Sequence, residues 1–326
     1  MTISAALITF SGISIGLTFL SSVLLSKFLS RKFKQMGMTG QDVHKLDKPV
    51  TAEMGGVAVV VAVAAGALIL FASNDGLPQL VIAGLATVLL VGVIGAIDDI
   101  FSLRQRYKPF LVALMSVPLA YALMGRTAVL FPLLGHVSFG ILYPLIVVPA
   151  SIAISANLSN MLAGFNGLEA GCAIIAIAAL TVLSAFEKSV AGILLGSFFV
   201  AGYAGFLLLN KYPAKIFPGD TGTLMAGAAI ASIGLASGLE FAAVVVSIPA
   251  ALDFTLKMLS RNPFGARGVF GNTTVATDGH LIPPAYPALS HAFMRMTDVT
   301  EKSLVGSILA MELVFALVAI VITISM

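Results

Sequence analysis

Asp98 and Asp99 stand side by side in GAIDDIFSLRQRYK, with Arg104, Arg106 and Lys108 close behind. Adjacent carboxylates repel each other and are costly to desolvate at a membrane boundary. They read either as an interfacial acidic pair answered by the following cations, or as a divalent-metal ligand or base beside a basic loop suited to phosphate. Neighbours on a helix point about 100° apart, so the two cannot share one ion unless the helix ends there. NLSNMLAGFNGLEAG brings Asn157, Ser159, Asn160 and Asn166 to one helix end, more hydrogen-bonding groups than a cap requires. Asn157 and Asn160 are three apart and share a face. Their plain alternative is a glycine-rich turn between two helices. Asp220 in KIFPGDTGTLMAG reads as a helix N-cap or as a ligand for Mg²⁺, which takes hard oxygen donors. Phe217, Pro218 and Gly219 before it form a rigid turn that aims a helix start at the same surface.

The elements that must position these residues are membrane helices. The chain has 326 residues, 59% hydrophobic and 10% charged, with mean hydropathy +1.04. Soluble domains carry about 25% charged residues, so a soluble globular protein is excluded. Ten stretches approach the roughly 20 apolar residues a spanning helix needs: about 4–26, 55–73, 79–97, 109–125, 140–157, 171–186, 190–209, 221–237, 240–258 and 303–325. The expected fold is all-α, polytopic and a single domain over 1–326. Of the 18 Lys and Arg residues, all except Arg126 and Lys188 fall on one side of this alternation. That side is cytoplasmic by the positive-inside rule, which leaves both termini non-cytoplasmic. The first span lacks a basic leader and a cleavage site, so it reads as an anchor.

The polar clusters all fall in the loops of the basic side. A tight hairpin is expected between Gly125 and Gly140. The last basic-side loop, from about Ser260 to Lys302, carries Arg261, Arg267, Asp278, His280 and Arg295, and its 285–296 stretch reads as a short interfacial helix. That loop suits a substrate lid or sugar-recognition arm, or else lies against lipid headgroups. Asp253 and Glu312 lie within spans, and with no basic residue in the spans they are expected to be buried and hydrogen-bonded. The net charge of +3 is too small and scattered for a nucleic-acid partner. A lone Cys172 excludes an internal disulfide and a cysteine metal cluster. A secondary transporter is the alternative function, although its polar residues belong at mid-membrane. A CDP-alcohol transferase would carry several aspartates along one helix, which this sequence lacks.

GQDVHK at 40–45, EMGG at 53–56, DDIFSLRQRYK at 98–108, NLSNMLAGFNGLEAG at 157–171 and FPGD at 217–220 resemble the polyprenyl-phosphate N-acetylhexosamine-1-phosphate transferases, glycosyltransferase family 4. The similarity covers nearly the whole chain and is closer to the dolichyl-phosphate branch than to the peptidoglycan branch. The last loop has no histidine triplet, which leans toward an archaeal member. The resemblance implies transfer of N-acetylglucosamine 1-phosphate from UDP-GlcNAc to a polyprenyl phosphate in the cell membrane, with release of UMP. It implies that Asp98 and Asp99 are the paired catalytic aspartates, the first deprotonating the acceptor phosphate, and that Lys108 contacts the pyrophosphate. Asp220 and Asn160 would hold Mg²⁺, for which Mn²⁺ could substitute. Asn166 and Phe217 would hold the uridine, with Glu53 nearby and Asn157 in the same binding set. Arg261 and Arg267 stand loosely where the dolichol enzymes have a basic element. The expected partners are a UDP-N-acetylhexosamine, the polyprenyl lipid, the bilayer and a second copy in a homodimer.

Overall fold

The structure, a computed structural model, describes residues 5–72, 77–132, 134–259 and 273–325. Helices occupy all ten expected places. They are α1 (Ala5–Gln35), α2 (Gly56–Phe71), α3 (Gln79–Phe101), the broken pair α4 (Lys108–Met115) and α5 (Val117–Ala122), and α6 (Val148–Met161) behind a wide turn at Tyr143–Val147. After these come α7 (Leu168–Phe186), α8 (Val190–Asn210), α9 (Gly219–Ser237), the pair α10 (Glu240–Val246) and α11 (Ile248–Met258), a short α12 (Leu289–Met296), and α13 (Glu301–Ile324). The breaks follow proline, which lacks an N–H and clashes with the preceding turn. Pro118 sits at the α4–α5 break, and Pro249 at the 58° bend between α10 and α11.

Among the described residues six helices are long and apolar enough to cross a membrane, or seven if the bent α10–α11 pair is one span. The others fall short for physical reasons. α2 and the α4–α5 segment run 16 and 15 residues, about 24 Å at most. α9 is different: every residue from Thr221 to Ala236 is buried. It is enclosed by α3, α6, α7 and α8 and meets little lipid, so small residues that allow close approach replace bulky apolar ones. A Cβ on Gly95 of α3 would lie 2.5 Å from the Thr221 Cα.

Three two-stranded hairpins lie in the loops. β1 (Thr39–Gln41) pairs with β2 (Val50–Ala52) between α1 and α2. β3 (Ala128–Phe131) pairs with β4 (Gly135–Ser138) in the expected 125–140 hairpin. β5 (Thr274–Val275) pairs with β6 (Leu281–Ile282) in the last loop. The main core runs through the bundle. A second cluster, including Leu162, Phe165, Leu168, Leu289, Met294 and Leu304, fastens the last loop to α7 and α13. At the opposite end, Arg126 lies 3.4 Å from Glu240, which also accepts from the Tyr143 hydroxyl at 2.5 Å.

Candidate active site

The site starts with how α9 begins. Its first N–H groups have no partner within the helix, and Pro218 at the cap has no side-chain oxygen. Asp99 supplies one from α3: its carboxylate accepts from Asp220 N at 2.7 Å, Thr221 N at 3.0 Å and the Thr221 hydroxyl at 2.6 Å. The approach requires Gly219, which has φ +66° and whose added Cβ would lie 2.6 Å from the Asp99 carboxylate. Because Asp99 caps the helix, Asp220 does not. The Asp220 carboxylate is released from capping and faces away from the helix backbone, 32% exposed.

Three elements converge on that carboxylate. Lys108, at the start of α4 and 2% exposed, places its ammonium 2.6 Å from Asp220 Oδ2 and against Asp98 Oδ2. Asp98 Oδ1 accepts from Leu103 N at 2.6 Å, which fixes the chain as it leaves α3 in the left-handed turn at Ser102. Asn160 on α6 donates to Asp220 Oδ1 at 2.7 Å and to the Thr223 hydroxyl at 2.8 Å. Adjacent Asp98 and Asp99 therefore diverge, one to Lys108 and the other to the α9 terminus. Of the three following cations, Lys108 is the one that answers them: Arg106 donates to the Tyr107 hydroxyl at 2.8 Å, and Arg104 forms no ion pair among the described residues. Glu53 stands by this cluster, and burial together with the charges of Asp99 and Asp220 holds its carboxyl above the usual range.

A cavity of about 250 Å³ opens over the cluster, lined by Asp42, His44, Asn160, Phe165, Phe217 and Asp220 among others. Phe217 is held there by its backbone, donating to Ala52 O at 2.8 Å and accepting from Gly55 N at 2.7 Å. His44 stacks on Phe165 at 4.3 Å, and burial lowers its imidazole to about 4. A second cavity of about 260 Å³ shares His44, Asn160 and Phe165 and continues to Lys257, Thr273, Tyr286, Ser290 and His291. Thus the last loop forms the far wall of the second cavity, which adjoins the first across shared residues. It is pinned by Asp253, which accepts from Leu289 N at 2.8 Å and pairs with Lys257 at 2.6 Å. That pair corrects the expectation that Asp253 has no cation: Lys257 lies one turn on, on the same helix face.

Asn166 is 4% exposed and fully committed inside the protein. Its amide donates to Asp42 Oδ2 at 3.0 Å and to Glu301, its backbone N–H donates to Glu301 at 2.8 Å, and its Oδ1 accepts from Ala214 N at 2.7 Å. Lys45 completes the knot, against Asp42 and 3.3 Å from Glu301. Asp42, His44 and Glu301 have metal-like spacing, but the Lys45 ammonium and the Asn166 amide already answer the two acids.

The sequence model of glycosyl transferase family 4 matches residues 81–238. A Sulfolobus acidocaldarius protein named as a UDP-N-acetylglucosamine–dolichyl-phosphate N-acetylglucosaminephosphotransferase is 34% identical over 321 residues, 95% of both chains. A Saccharolobus solfataricus protein of the same name is 34% identical over 310 residues, 94% of both. A Leuconostoc citreum phospho-N-acetylmuramoyl-pentapeptide-transferase is 30% identical over 68% of this chain and 72% of its own. This chain belongs to glycosyl transferase family 4.

In this glycosyl transferase, Asp98, Asp99, Lys108, Asn160 and Asp220 come together, and Phe217 and Glu53 lie beside them. Asn166 lies behind the cavity rather than in it. Asn157 turns back on its own helix, donating to Ala153 O at 2.7 Å. Arg261 and Arg267 lie outside the described residues. Asp278 and His280 pair with each other on the surface. Asp42, Glu301, Thr223, Lys257 and His291 belong to the site or its walls and were not singled out for it in the sequence. Asp42 sits within the quoted GQDVHK stretch, whereas Glu301 carries no signal beyond an acid in the first turn of a helix, where acids are ordinary.

The donor set fits a small hard cation. Mg²⁺ is held by one or two carboxylates with substrate phosphates and water. Asp220 presents a carboxylate to the cavity with the Lys108 ammonium on Oδ2 and the Asn160 amide nitrogen on Oδ1, so a cation held here would displace Lys108 from Asp220 and turn the Asn160 amide over to present its oxygen.

Proposed function

We propose that this glycosyl transferase moves N-acetylglucosamine 1-phosphate from UDP-N-acetylglucosamine to a dolichyl-type polyprenyl phosphate, releasing UMP. The observation that carries the reading is Lys108 held between Asp98 and Asp220, with Asn160, at the floor of a cavity on the cation-rich end of the helices. The names of the two relatives that match nearly end to end support it. An oxygen of the lipid phosphate attacks the β-phosphorus of the nucleotide sugar. The bond between that phosphorus and the bridging oxygen breaks, and UMP leaves with the electron pair.

Several negative charges must meet, so catalysis rests on positioning and charge compensation. Asp98 accepts the proton of the acceptor phosphate or orients it. Lys108 offsets charge on the diphosphate. Asp220 and Asn160 would hold Mg²⁺, with Mn²⁺ as a substitute, and the bound ion would neutralise the diphosphate. Asp99 acts at one remove, by setting the start of α9 and the direction of Asp220. Phe217 offers a ring face to the uracil in the first cavity. The second cavity, against Thr273, Tyr286 and His291, takes the sugar, and Arg261 and Arg267 add charge from the same loop.

The same reading makes the chain one domain of ten crossings in the cell membrane, with the site cytoplasmic and both termini outside. A second copy in a homodimer is compatible with it. The decisive experiment measures Mg²⁺-dependent UMP release by the purified protein with polyprenyl phosphate and UDP-N-acetylglucosamine. Asp98→Asn and Asp220→Ala are expected to lose about 10²–10³-fold. Undiminished turnover in both would sink the assignment.

A further inference from the structure

On the side of the Asp42–Lys45 knot away from the nucleotide cavity lies a larger cleft of about 900 Å³. The cytoplasm-proximal half of α1, the β1–β2 hairpin and the α8–α9 loop enclose it. Five cations line it: Lys27, Arg31, Lys34, Lys45 and Lys215. The acid lining it, Asp42, is 3% exposed and already tied to Lys45 and Asn166. Lys27, Arg31, Lys34 and Lys215 are exposed and form no ion pair among the described residues. Lys27 and Arg31 stand i, i+4 on one helix, and Arg31 and Lys34 i, i+3, spacings at which like charges destabilise. The negative end of the α1 dipole relieves this within the last turn alone. An anion in the cleft would relieve all of it.

The shape of α1 says which anion. Leu20, Leu24, Lys27, Arg31 and Lys34 follow one another at steps of four and three, a single stripe along the helix. Leu20 and Leu24 are 50% and 57% exposed, as lipid-facing residues are, and Phe28 flanks them at 57%. The stripe passes from hydrocarbon-facing to cationic within about 10 Å, the rise from Leu20 to Lys27. A shallow outer groove lined by Leu24, Lys27, Phe28 and Arg31 joins the two parts. A ligand that carries its charge at the end of a hydrocarbon chain matches this stripe, whereas a free ion uses its lower part alone.

We infer that this cleft binds the headgroup of an anionic phospholipid of the bilayer, with its hydrocarbon chains laid along Leu20, Leu24 and Phe28. Lys27, Arg31 and Lys34 contact the headgroup from one wall and Lys215 from the other. The site is separate from the substrate cavity and shares Asp42 with it as a common wall. The inference does not depend on the transferase reading, because it is read by binding.

The test places the full chain in nanodiscs of zwitterionic lipid doped with an anionic phospholipid and counts retained lipids by native mass spectrometry. The charge-neutral triple variant Lys27→Gln, Arg31→Gln, Lys34→Gln should lose retention, about fivefold in affinity for each cation removed. Lys215→Gln alone, which leaves α1 intact, should lose about fivefold. The control Arg104→Gln with Arg106→Gln removes two exposed cations from the same membrane face and should change retention little. Equal loss in the control would reduce the effect to diffuse surface attraction and overturn the site. Displacement of the phospholipid by equimolar polyprenyl phosphate would reassign the cleft to the substrate. Equal occupancy by inorganic phosphate, with no phospholipid present, would reassign it to a free ion. Variants that elute aggregated are replaced by Leu24→Gln, which keeps every charge and should weaken retention of the phospholipid while leaving phosphate binding unchanged.

Discussion

Lys108 is the residue on which the charge balance of the site turns. It is buried, and it stands between two carboxylates that repel each other without it. Lys108→Met is expected to abolish UMP release and to lower stability by about 3 kcal/mol, since an uncompensated charge remains. Thermal melting in detergent and the release assay read the two effects separately. His44 makes a different prediction. Burial holds it at about 4, below its ordinary 6.5, so between those values the folded protein binds fewer protons than the unfolded chain. Its share of stability is complete above pH 6.5 and is lost as pH falls toward 4, by up to about 3 kcal/mol. His44→Gln should flatten the melting temperature between pH 6.5 and 4. A slope unchanged from the parent protein would show that another group carries it.

At the scale of elements, two helix starts organise the site. α9 begins under Asp99 rather than under a cap of its own, so Asp99→Ala strips two N–H groups of their acceptor. A lost cap costs about 1–2 kcal/mol. Because the released turn carries Asp220, turnover should fall by more than the loss of folded protein explains. Gly219→Ala should reproduce this with Asp99 intact, through the clash and the positive φ together. α13 begins at Thr300, whose side chain caps Ser303 N, and this releases Glu301 to reach Asn166 and Lys45. Glu301→Gln keeps the shape and removes the charge. It is expected to raise the KM for the nucleotide sugar more than it lowers kcat, as measured by initial rates, because Glu301 and Asn166, behind the cavity, hold the 40–45 loop whose Asp42 and His44 line it. That Asp98, Lys108, Asn160 and Asp220 would come together was legible, because Asp98, Asn160 and Asp220 are polar residues at helix ends of an apolar chain, Lys108 follows the acidic pair, and the family resemblance grouped the four. Glu301 and Lys257 were not, because an acid in a first turn and a base in a last turn are what any helix carries.

Over the whole molecule, charge is sorted by side. The Asp98–Lys108–Asp220 cluster, the cavity over it and the basic cleft lie at one end, and Arg126 with Glu240 lies at the other. In a Cys172→Ala background, Lys188→Cys should react with an impermeant thiol reagent on intact cells, and Arg104→Cys only after permeabilisation. Labelling of both from outside would overturn the ten-crossing topology. Sequence alone determined that the chain is a membrane bundle, where its helices lie, and that its cations and polar clusters gather at the same helix ends, since apolar length and charge asymmetry are properties of the chain. It could not show that α9 lies enclosed by other helices, that Asp99 caps it, or that Asn166 is spent on Glu301. Those follow from which helix faces meet, and contacts between residues more than a hundred positions apart are decided only when the bundle packs.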